Sequence, residues 1–134
     1  MRALSLLAAL LISLAAPARA ADDVAAAQGV IRAQMEAFSR DDAAAAFSHA
    51  APAIQEIFPH ADIFMSMVRN YALIYRHKSF DFGEVRIADG TIAQRVHILD
   101  ADGIPWEALY TLELQPDGSI KISGCVLLKP SQAA

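Results

Sequence analysis

Cysteine is almost absent from this sequence: Cys125 is the single one in 134 residues. An internal disulfide is therefore excluded, and the chain has to rely on a hydrophobic core, for which its length is sufficient. Basic residues are also few, with 11 lysines and arginines against 15 acidic residues and a net charge of −4. This balance argues against nucleic acids and anionic membrane surfaces as partners, because both require a basic face.

Motifs of well-known chemistry are missing as well. The sequence has no glycine-rich phosphate loop, no nucleophile elbow, no Ser-His-Asp order and no pair of histidines spaced on one helical face. Each of these patterns serves a defined reaction or ligand, so their absence leaves no named chemistry to assign. We predict neither a metal nor a cofactor.

The N-terminus has the layout of a secretory signal. Arg2 precedes an apolar run over residues 3–16, and small residues occupy the end of "APARA". This arrangement predicts export to the periplasm with cleavage after Ala20. The apolar run is short for a membrane span, so we expect no membrane insertion of the mature chain and a single domain over residues 21–134.

The first half of the mature chain shows helical periodicity. In "ADDVAAAQGVIRAQMEAF" the apolar positions Ala27, Ile31 and Phe38 recur at helical spacing, with Asp22 and Asp23 suited to the helix N-terminus. Further helices are predicted from a capping-box-like start at Ser39 and Asp42, from Pro52, and after Pro59. The last of these places four apolar residues on one face: Phe64, Met67, Val68 and Tyr71.

The second half shows strand periodicity interrupted by three Asp-Gly turns, "IADGT", "DADGI" and "QPDGS". Three-residue turns of this kind favour a type I turn with a left-handed glycine, and they join four antiparallel strands into a meander. The flanking residues that we expect to pair are Ile87 with Thr91, Asp100 with Ile104, and Gln115 with Ser119.

Counting outward from these turns gives a full register. The apolar face of the sheet is predicted to contain the following pairs: Phe80 with Ile98, Phe82 with Val96, Leu112 with Ile122, Tyr110 with Gly124, and Ala108 with Val126. Since the helices also need an apolar surface, the chain is predicted to be α+β, with its N-terminal helices packed in the concave face of a curved sheet.

Three segments resemble a known group: "VIRAQMEAFSRDDAAAAFSHAAPAIQEIF", "FMSMVRNYALIYR" and "QRVHILDADGIPWEALYTLELQPDGSIKISGCVLL". They are similar to domain-of-unknown-function family 4864, a group that resembles the nuclear-transport-factor-2-like superfamily. The resemblance implies a cone-shaped α+β fold with a pocket between helices and sheet, often dimeric through the outer sheet face. It implies no activity and transfers no catalytic residue.

The predicted register aligns polar side chains across the concave face. Glu84, Gln94 and Tyr110 would lie side by side and end at Gly124, whose missing side chain would leave room above the sheet. Trp106 is a further candidate for the pocket wall. A buried carboxylate beside an amide and a phenol could act as a general base. The alternative is structural: Glu84 pairs with an arginine, and Tyr110 packs over Gly124.

On the convex face His97 is predicted between Asp81 and Glu107. Imidazole and carboxylates can bind a divalent metal, but three such residues on adjacent strands are more typical of a surface ion cluster.

The same count places Cys125 on the convex face, opposite Leu109 and near Leu127. We therefore expect these three residues at a sheet-mediated homodimer contact, or the thiol partly exposed and able to bridge two chains.

Three functions follow from these patterns. The favoured one is a non-catalytic exported domain that binds a small apolar or amphipathic ligand, or a partner protein, in an apolar pocket. The second is an isomerase-, dehydratase- or cyclase-like enzyme with Glu84 as base and Tyr110 as hydrogen-bond donor. The third is a purely structural dimer module.

Overall fold

The computed structural model describes residues 15–128. Five helices precede four strands: α1 Ala15–Ser39, α2 Ala43–Ser48, α3 Pro52–Ile57, α4 Ala61–Val68, α5 Ala72–Tyr75, β1 Ser79–Ala88, β2 Thr91–Leu99, β3 Pro105–Leu114 and β4 Ile120–Leu127. The sheet is antiparallel with strand order β1-β2-β3-β4, which confirms the predicted α+β meander. Most of the predicted secretory signal, residues 1–14, lies outside the described residues.

Helix α1 buries the face that its periodicity predicts. Ala27, Ile31 and Met35 are fully buried, and Phe38 is nearly so. The helix begins earlier than expected, since Asp22 and Asp23 lie within it rather than at its N-terminus. The residues before them are rich in alanine, the strongest helix former, and Pro17 lies in the first turn, where proline is tolerated.

Helix α2 is capped by Asp42, whose carboxylate accepts a hydrogen bond from the Ala45 amide at 3.1 Å. The expected capping box with Ser39 is wrong, because Ser39 ends α1 and its hydroxyl donates to the Met35 carbonyl at 3.2 Å. Helix α3 does begin at Pro52, in keeping with the preference of proline for the first helical position.

The three hairpin turns differ from one another. The second and third have the predicted three-residue geometry: the Asp100 amide donates to the Ile104 carbonyl at 3.0 Å, and the Gln115 amide to the Ser119 carbonyl at 2.7 Å. The first is a two-residue turn, in which Asp89 and Gly90 both have positive φ (50° and 76°). These angles fit a type I′ turn, so the predicted pairing of Ile87 with Thr91 is wrong.

A bulge between Phe82 and Val85 interrupts the pairing of β1 with β2. On one side of it Phe82 pairs with Val96, as predicted, and on the other side Val85, rather than Glu84, pairs with Gln94. The shorter first turn shifts the register by one residue, and the bulge shifts it back. Glu84 and Gln94 are therefore not cross-strand partners, and the Glu84 side chain is not beside that of Gln94.

A second bulge, between Thr111 and Leu112, interrupts the pairing of β3 with β4. Leu112 pairs with Ile122 while Thr111 pairs with Gly124, so Ser123 is the additional residue on β4. Beyond this point three predicted pairs are wrong. The pairs present are Tyr110 with Cys125, Leu109 with Val126, and Ala108 with Leu127. Because side chains alternate between faces, the shift moves Cys125 to the face that contains Tyr110.

The core lies between helix α1 and one face of the sheet, which we call the helix-covered face. On β2 this face consists of Ile92, Gln94, Val96 and Ile98, all buried. Each apolar side chain of this size stabilises the fold by ~1.5–3 kcal/mol when it is withdrawn from water. None of the helices between residues 15 and 128 combines the length and apolar composition that a membrane crossing requires.

The outer edge of β4 is covered along its first half by the junction of α2 and α3. The Ile122 amide donates to the His49 carbonyl and its carbonyl accepts from the Ala51 amide, both at 2.8 Å. This main-chain contact fixes α2 and α3 against the sheet and leaves the end of β4, residues 124–127, beside the space between helices and sheet.

Candidate functional site

A cavity of about 480 Å³ opens between the helices and the end of β4. We call it the apolar cavity. Its wall is formed by residues of α1, of the helices after it, and of β3 and β4: Gln34, Phe38, Ala50, Ile54, Phe58, Phe64, Met67, Val68, Tyr71, Ile74, Tyr110, Ile122, Gly124, Cys125, Val126 and Leu127.

The helical wall of the cavity is held by aromatic packing. The ring of Phe64 on α4 lies 5.4 Å from that of Phe47 on α2 and 5.9 Å from that of Phe58, which follows α3. Edge-to-face and tilted contacts at these distances are favourable and fix the relative positions of short helices. The four residues predicted on one face of α4 and its extension all line the cavity: Phe64, Met67, Val68 and Tyr71.

Polar side chains in the cavity wall are few, and two of them donate hydrogen bonds within the protein. The Gln34 amide nitrogen donates to the Ala46 carbonyl at 3.1 Å. The Tyr110 hydroxyl donates to Sδ of Met35 at 3.5 Å. Burial raises the pKa of Tyr110 well above its ordinary value, so the phenol is neutral at physiological pH.

The thiol of Cys125 is accessible to solvent and is nonetheless surrounded by protein atoms, because it faces the cavity. Desolvation raises its pKa to about 11, although the neighbouring Tyr110 hydroxyl partly offsets this effect. The thiol is therefore protonated at neutral pH, and a protonated thiol is a poor nucleophile.

No charged side chain is found among the wall residues within the described part of the chain. An ion that entered the cavity would lose its hydration without gaining an opposite charge, which is costly. This arrangement can hold a neutral, mostly apolar molecule. It does not provide a general base.

Glu84 is not part of this site. Its side chain is 76% exposed, and Nε of Arg95 lies 4.0 Å from its carboxylate. The bulge turns Glu84 away from the helix-covered face, so Glu84 is absent from the predicted row. The other two members, Gln94 and Tyr110, do pair across β2 and β3 as predicted. The predicted enzyme with Glu84 as a buried base is contradicted by this position.

Gln94 is fully buried but lies outside the cavity wall. Its amide nitrogen donates to the carbonyls of Gly83 (3.1 Å), Glu84 (3.3 Å) and Arg95 (2.8 Å). Its oxygen accepts from Gln28 at 3.1 Å. Gln94 therefore satisfies the main-chain groups that the first bulge leaves without ladder partners.

Trp106 borders a second, smaller cavity of about 370 Å³ rather than the apolar cavity. Its indole nitrogen donates to the Asp100 carboxylate at 3.0 Å. The amides of Asp102 and Ile104 donate to the same carboxylate, each at 2.9 Å. These hydrogen bonds lower the pKa of Asp100. The largest effect comes from the Ile104 amide, followed by the Trp106 indole and then the Asp102 amide. Trp106 thus has a structural role in the second turn.

Gly124 does border the apolar cavity, but the reason differs from the predicted one. A Cβ at Gly124 would lie 2.9 Å from Oγ1 of Thr111, on the face opposite the helices. The missing side chain therefore gives the bulge room on the open face of the sheet and does not enlarge the cavity.

The three residues predicted at a dimer contact are divided between the two faces. Cys125 and Leu127 line the apolar cavity, so their predicted position on the convex face is wrong. Leu109, opposite Val126, remains on the open face. A homodimer through this face stays a prediction.

The row of Asp81, His97 and Glu107 pairs as predicted on the open face. Glu107 contacts Nη1 of Arg95 at 3.1 Å, in keeping with a surface ion cluster. Within residues 15–128 no group of three or more histidine, cysteine or acidic side chains has the geometry to hold a metal.

The sequence pattern predicts Tyr110 and Gly124 at the cavity, but it does not predict Cys125 and Leu127 there. It does not predict Gln34, Phe38 and Ile54 there either. Residues that fill a core and residues that line a cavity recur at the same helical spacing, so periodicity does not distinguish them. The sequence feature that could have indicated the second bulge is the adjacent pair Ser123 and Gly124, because small residues within a strand often mark a bulge.

Comparison with known proteins gives one match. No curated protein and no solved structure matches the chain. The resemblance to the nuclear-transport-factor-2-like superfamily therefore stays a prediction. Residues 20–134 match the family model described as Domain of unknown function (DUF4864). The match covers nearly all of the α+β domain, and the chain belongs to this family.

Proposed function

We propose that this protein is an exported, non-catalytic domain that binds a small neutral molecule of apolar character in the apolar cavity. The observation that carries the proposal is the cavity itself, about 480 Å³ in volume with an uncharged wall. Pockets of about 300–1,000 Å³ lined by apolar and aromatic side chains with a few polar groups are typical small-molecule sites.

The composition of the wall favours binding over catalysis. Tyr110 and Cys125 are both neutral at physiological pH because burial raises the pKa of each. Glu84, the carboxylate that could have served as a base, is on the solvent side of the first bulge. A wall without a titrating group near pH 7 supports retention of a ligand and gives no proton-transfer step.

The position of the cavity also favours access for a ligand. Tyr71 lines the wall and is 48% exposed, which places it at the entrance. Met67 contributes a flexible, polarisable side chain to the same wall. Methionine side chains adapt to ligands of different shape, so the site suits a class of apolar molecules.

Binding is tested with N-phenyl-1-naphthylamine, a neutral apolar dye whose fluorescence rises in an apolar environment. Ile54→Trp adds an indole to the cavity wall, and we expect it to weaken dye binding at least about tenfold. Ile57→Trp is the matched control, because Ile57 is on the same helix, 69% exposed and outside the wall.

The control variant should bind the dye as the unchanged protein does. Absence of saturable binding to the unchanged protein contradicts the proposal. Equal binding by both tryptophan variants contradicts it too, because the dye would then be held at another surface.

Export is a separate part of the proposal and rests on the N-terminal pattern of Arg2, the apolar run and Ala20. Mass spectrometry of the full-length chain, expressed in a bacterial host and recovered from the periplasm, should give a mature N-terminus at Ala21. Recovery of the uncleaved chain from the cytoplasm alone would contradict export and leave ligand binding unaffected.

A further inference from the structure

Tyr110 occupies an unusual position for a tyrosine in an apolar wall. It is 1% exposed, and its partner among the described residues is Sδ of Met35 at 3.5 Å. A thioether sulfur is a weak acceptor, whereas buried hydroxyls normally find a strong one. The hydroxyl therefore has a better hydrogen bond to gain from an oxygen that enters the cavity.

Cys125 provides a second group of the same kind beside Tyr110. The two residues are paired across β3 and β4, both line the apolar cavity, and the hydroxyl is close enough to the thiol to affect its ionisation. A protonated thiol is a weak donor. The thiol and the weakly bonded hydroxyl therefore lie together in a wall that is mostly apolar.

We infer that the ligand of the apolar cavity is a neutral molecule with a carbonyl oxygen, such as a ketone, ester or amide, which accepts a hydrogen bond from Tyr110. This inference rests on the proposed function, because it names the class of ligand that the same cavity takes. Tyr110 selects the carbonyl compound over a hydrocarbon of the same shape. Carboxylates are disfavoured, since no cation lines the wall among the described residues.

The test uses two probes of nearly equal shape, benzophenone and diphenylmethane, which differ in a carbonyl in place of a methylene group. Each displaces N-phenyl-1-naphthylamine from the protein in a competition titration. We expect benzophenone to bind about three- to tenfold more tightly, the net value of one hydrogen bond.

Tyr110→Phe should remove this preference by weakening benzophenone binding to the level of diphenylmethane binding, because the ring stays in place and only the donor is lost. Tyr75→Phe is the matched control: Tyr75 is also buried but lies outside the cavity wall, against Arg69 and Arg76. The control should keep the full preference for benzophenone.

Met35→Leu should change the preference for benzophenone in the direction opposite to Tyr110→Phe, which makes it the stronger test. Met35 is fully buried, and leucine has a similar volume, so the fold should be retained. The change removes the competing acceptor of the Tyr110 hydroxyl, and the preference for benzophenone should increase about two- to fivefold.

The outcomes separate the inference from the proposed function. Equal binding of the two probes to the unchanged protein, or a preference that persists in Tyr110→Phe, overturns the inference while dye binding still supports the proposed function. If the dye does not bind at all, both fail. Far-ultraviolet circular dichroism of each variant verifies that it is folded.

Discussion

Two bulges interrupt the same sheet, and they have opposite consequences for function. At the bulge between β1 and β2, the buried Gln94 amide donates hydrogen bonds to the carbonyls of Gly83 and Glu84. At the bulge between β3 and β4, the sheet borders the apolar cavity. The first bulge turns Glu84 to solvent, and the second turns Cys125 to the wall of the apolar cavity.

The comparison shows that a polar residue on a buried sheet face is weak evidence for a site. Gln94 is the most completely buried polar side chain described, and its hydrogen bonds all serve the fold. The candidate site is instead where polar groups are few and weakly bonded, at Tyr110 and Cys125. A buried group whose partners are all strong has little left to offer a ligand.

The largest difference in stability between the first bulge and the apolar cavity should come from their buried glutamines. Gln94→Leu leaves several main-chain carbonyls at the first bulge without donors, and we expect a loss of about 2–4 kcal/mol in the free energy of unfolding. Gln34→Leu, in the cavity wall, should cost only about 1 kcal/mol. The Ala46 carbonyl that Gln34 contacts also accepts from the His49 amide.

Urea unfolding followed by circular dichroism measures both values. Equal losses for the two variants would mean that Gln94 does not support the first bulge, and the contrast between the regions would be lost.

A smaller effect is expected from the glycines at the two bulges. A Cβ at Gly124 would lie 2.9 Å from Oγ1 of Thr111, which accepts a hydrogen bond from Ser123. Gly124→Ala should therefore cost about 1–2 kcal/mol. A Cβ at Gly83 would lie 2.6 Å from Nε2 of His97, an exposed ring that can move into solvent.

Gly83→Ala should consequently cost less than about 1 kcal/mol. Addition of Thr111→Ala to Gly124→Ala should restore most of the lost stability, in a double-mutant cycle measured by thermal unfolding. A larger loss of stability for Gly83→Ala than for Gly124→Ala, or no recovery in the double variant, would show that Thr111 does not restrict the space at Gly124.

Much of the fold follows from local patterns in the sequence. Helical spacing identifies the buried face of α1, and Asp-Gly turns with left-handed glycines at Gly103 and Gly118 define two of the three hairpins. The first hairpin turn, at Asp89 and Gly90, is shorter because Asp89 also adopts a left-handed conformation, which aspartate tolerates. Turn length is therefore less predictable than turn position.

The site was less predictable because it depends on the bulges. One additional residue in a strand reverses the face of every residue beyond it, so Ser123 alone decides whether Cys125 points to solvent or to the cavity. The first bulge compensates for a short turn, so Phe80 and Phe82 pair as predicted although Glu84 does not. Periodicity does not carry this information, because both registers keep an apolar face.

The reactivity of Cys125 tests the central claim most directly, because it reports whether the end of β4 faces the cavity. With the pKa of the thiol raised to about 11, alkylation by iodoacetamide should still rise about tenfold per pH unit between pH 8 and pH 10. Ile54→Trp should slow the reaction at least about tenfold, whereas Ile57→Trp should leave it unchanged. A rate that levels off near pH 9 and is equal in all three proteins would place the thiol on the open face and contradict the account.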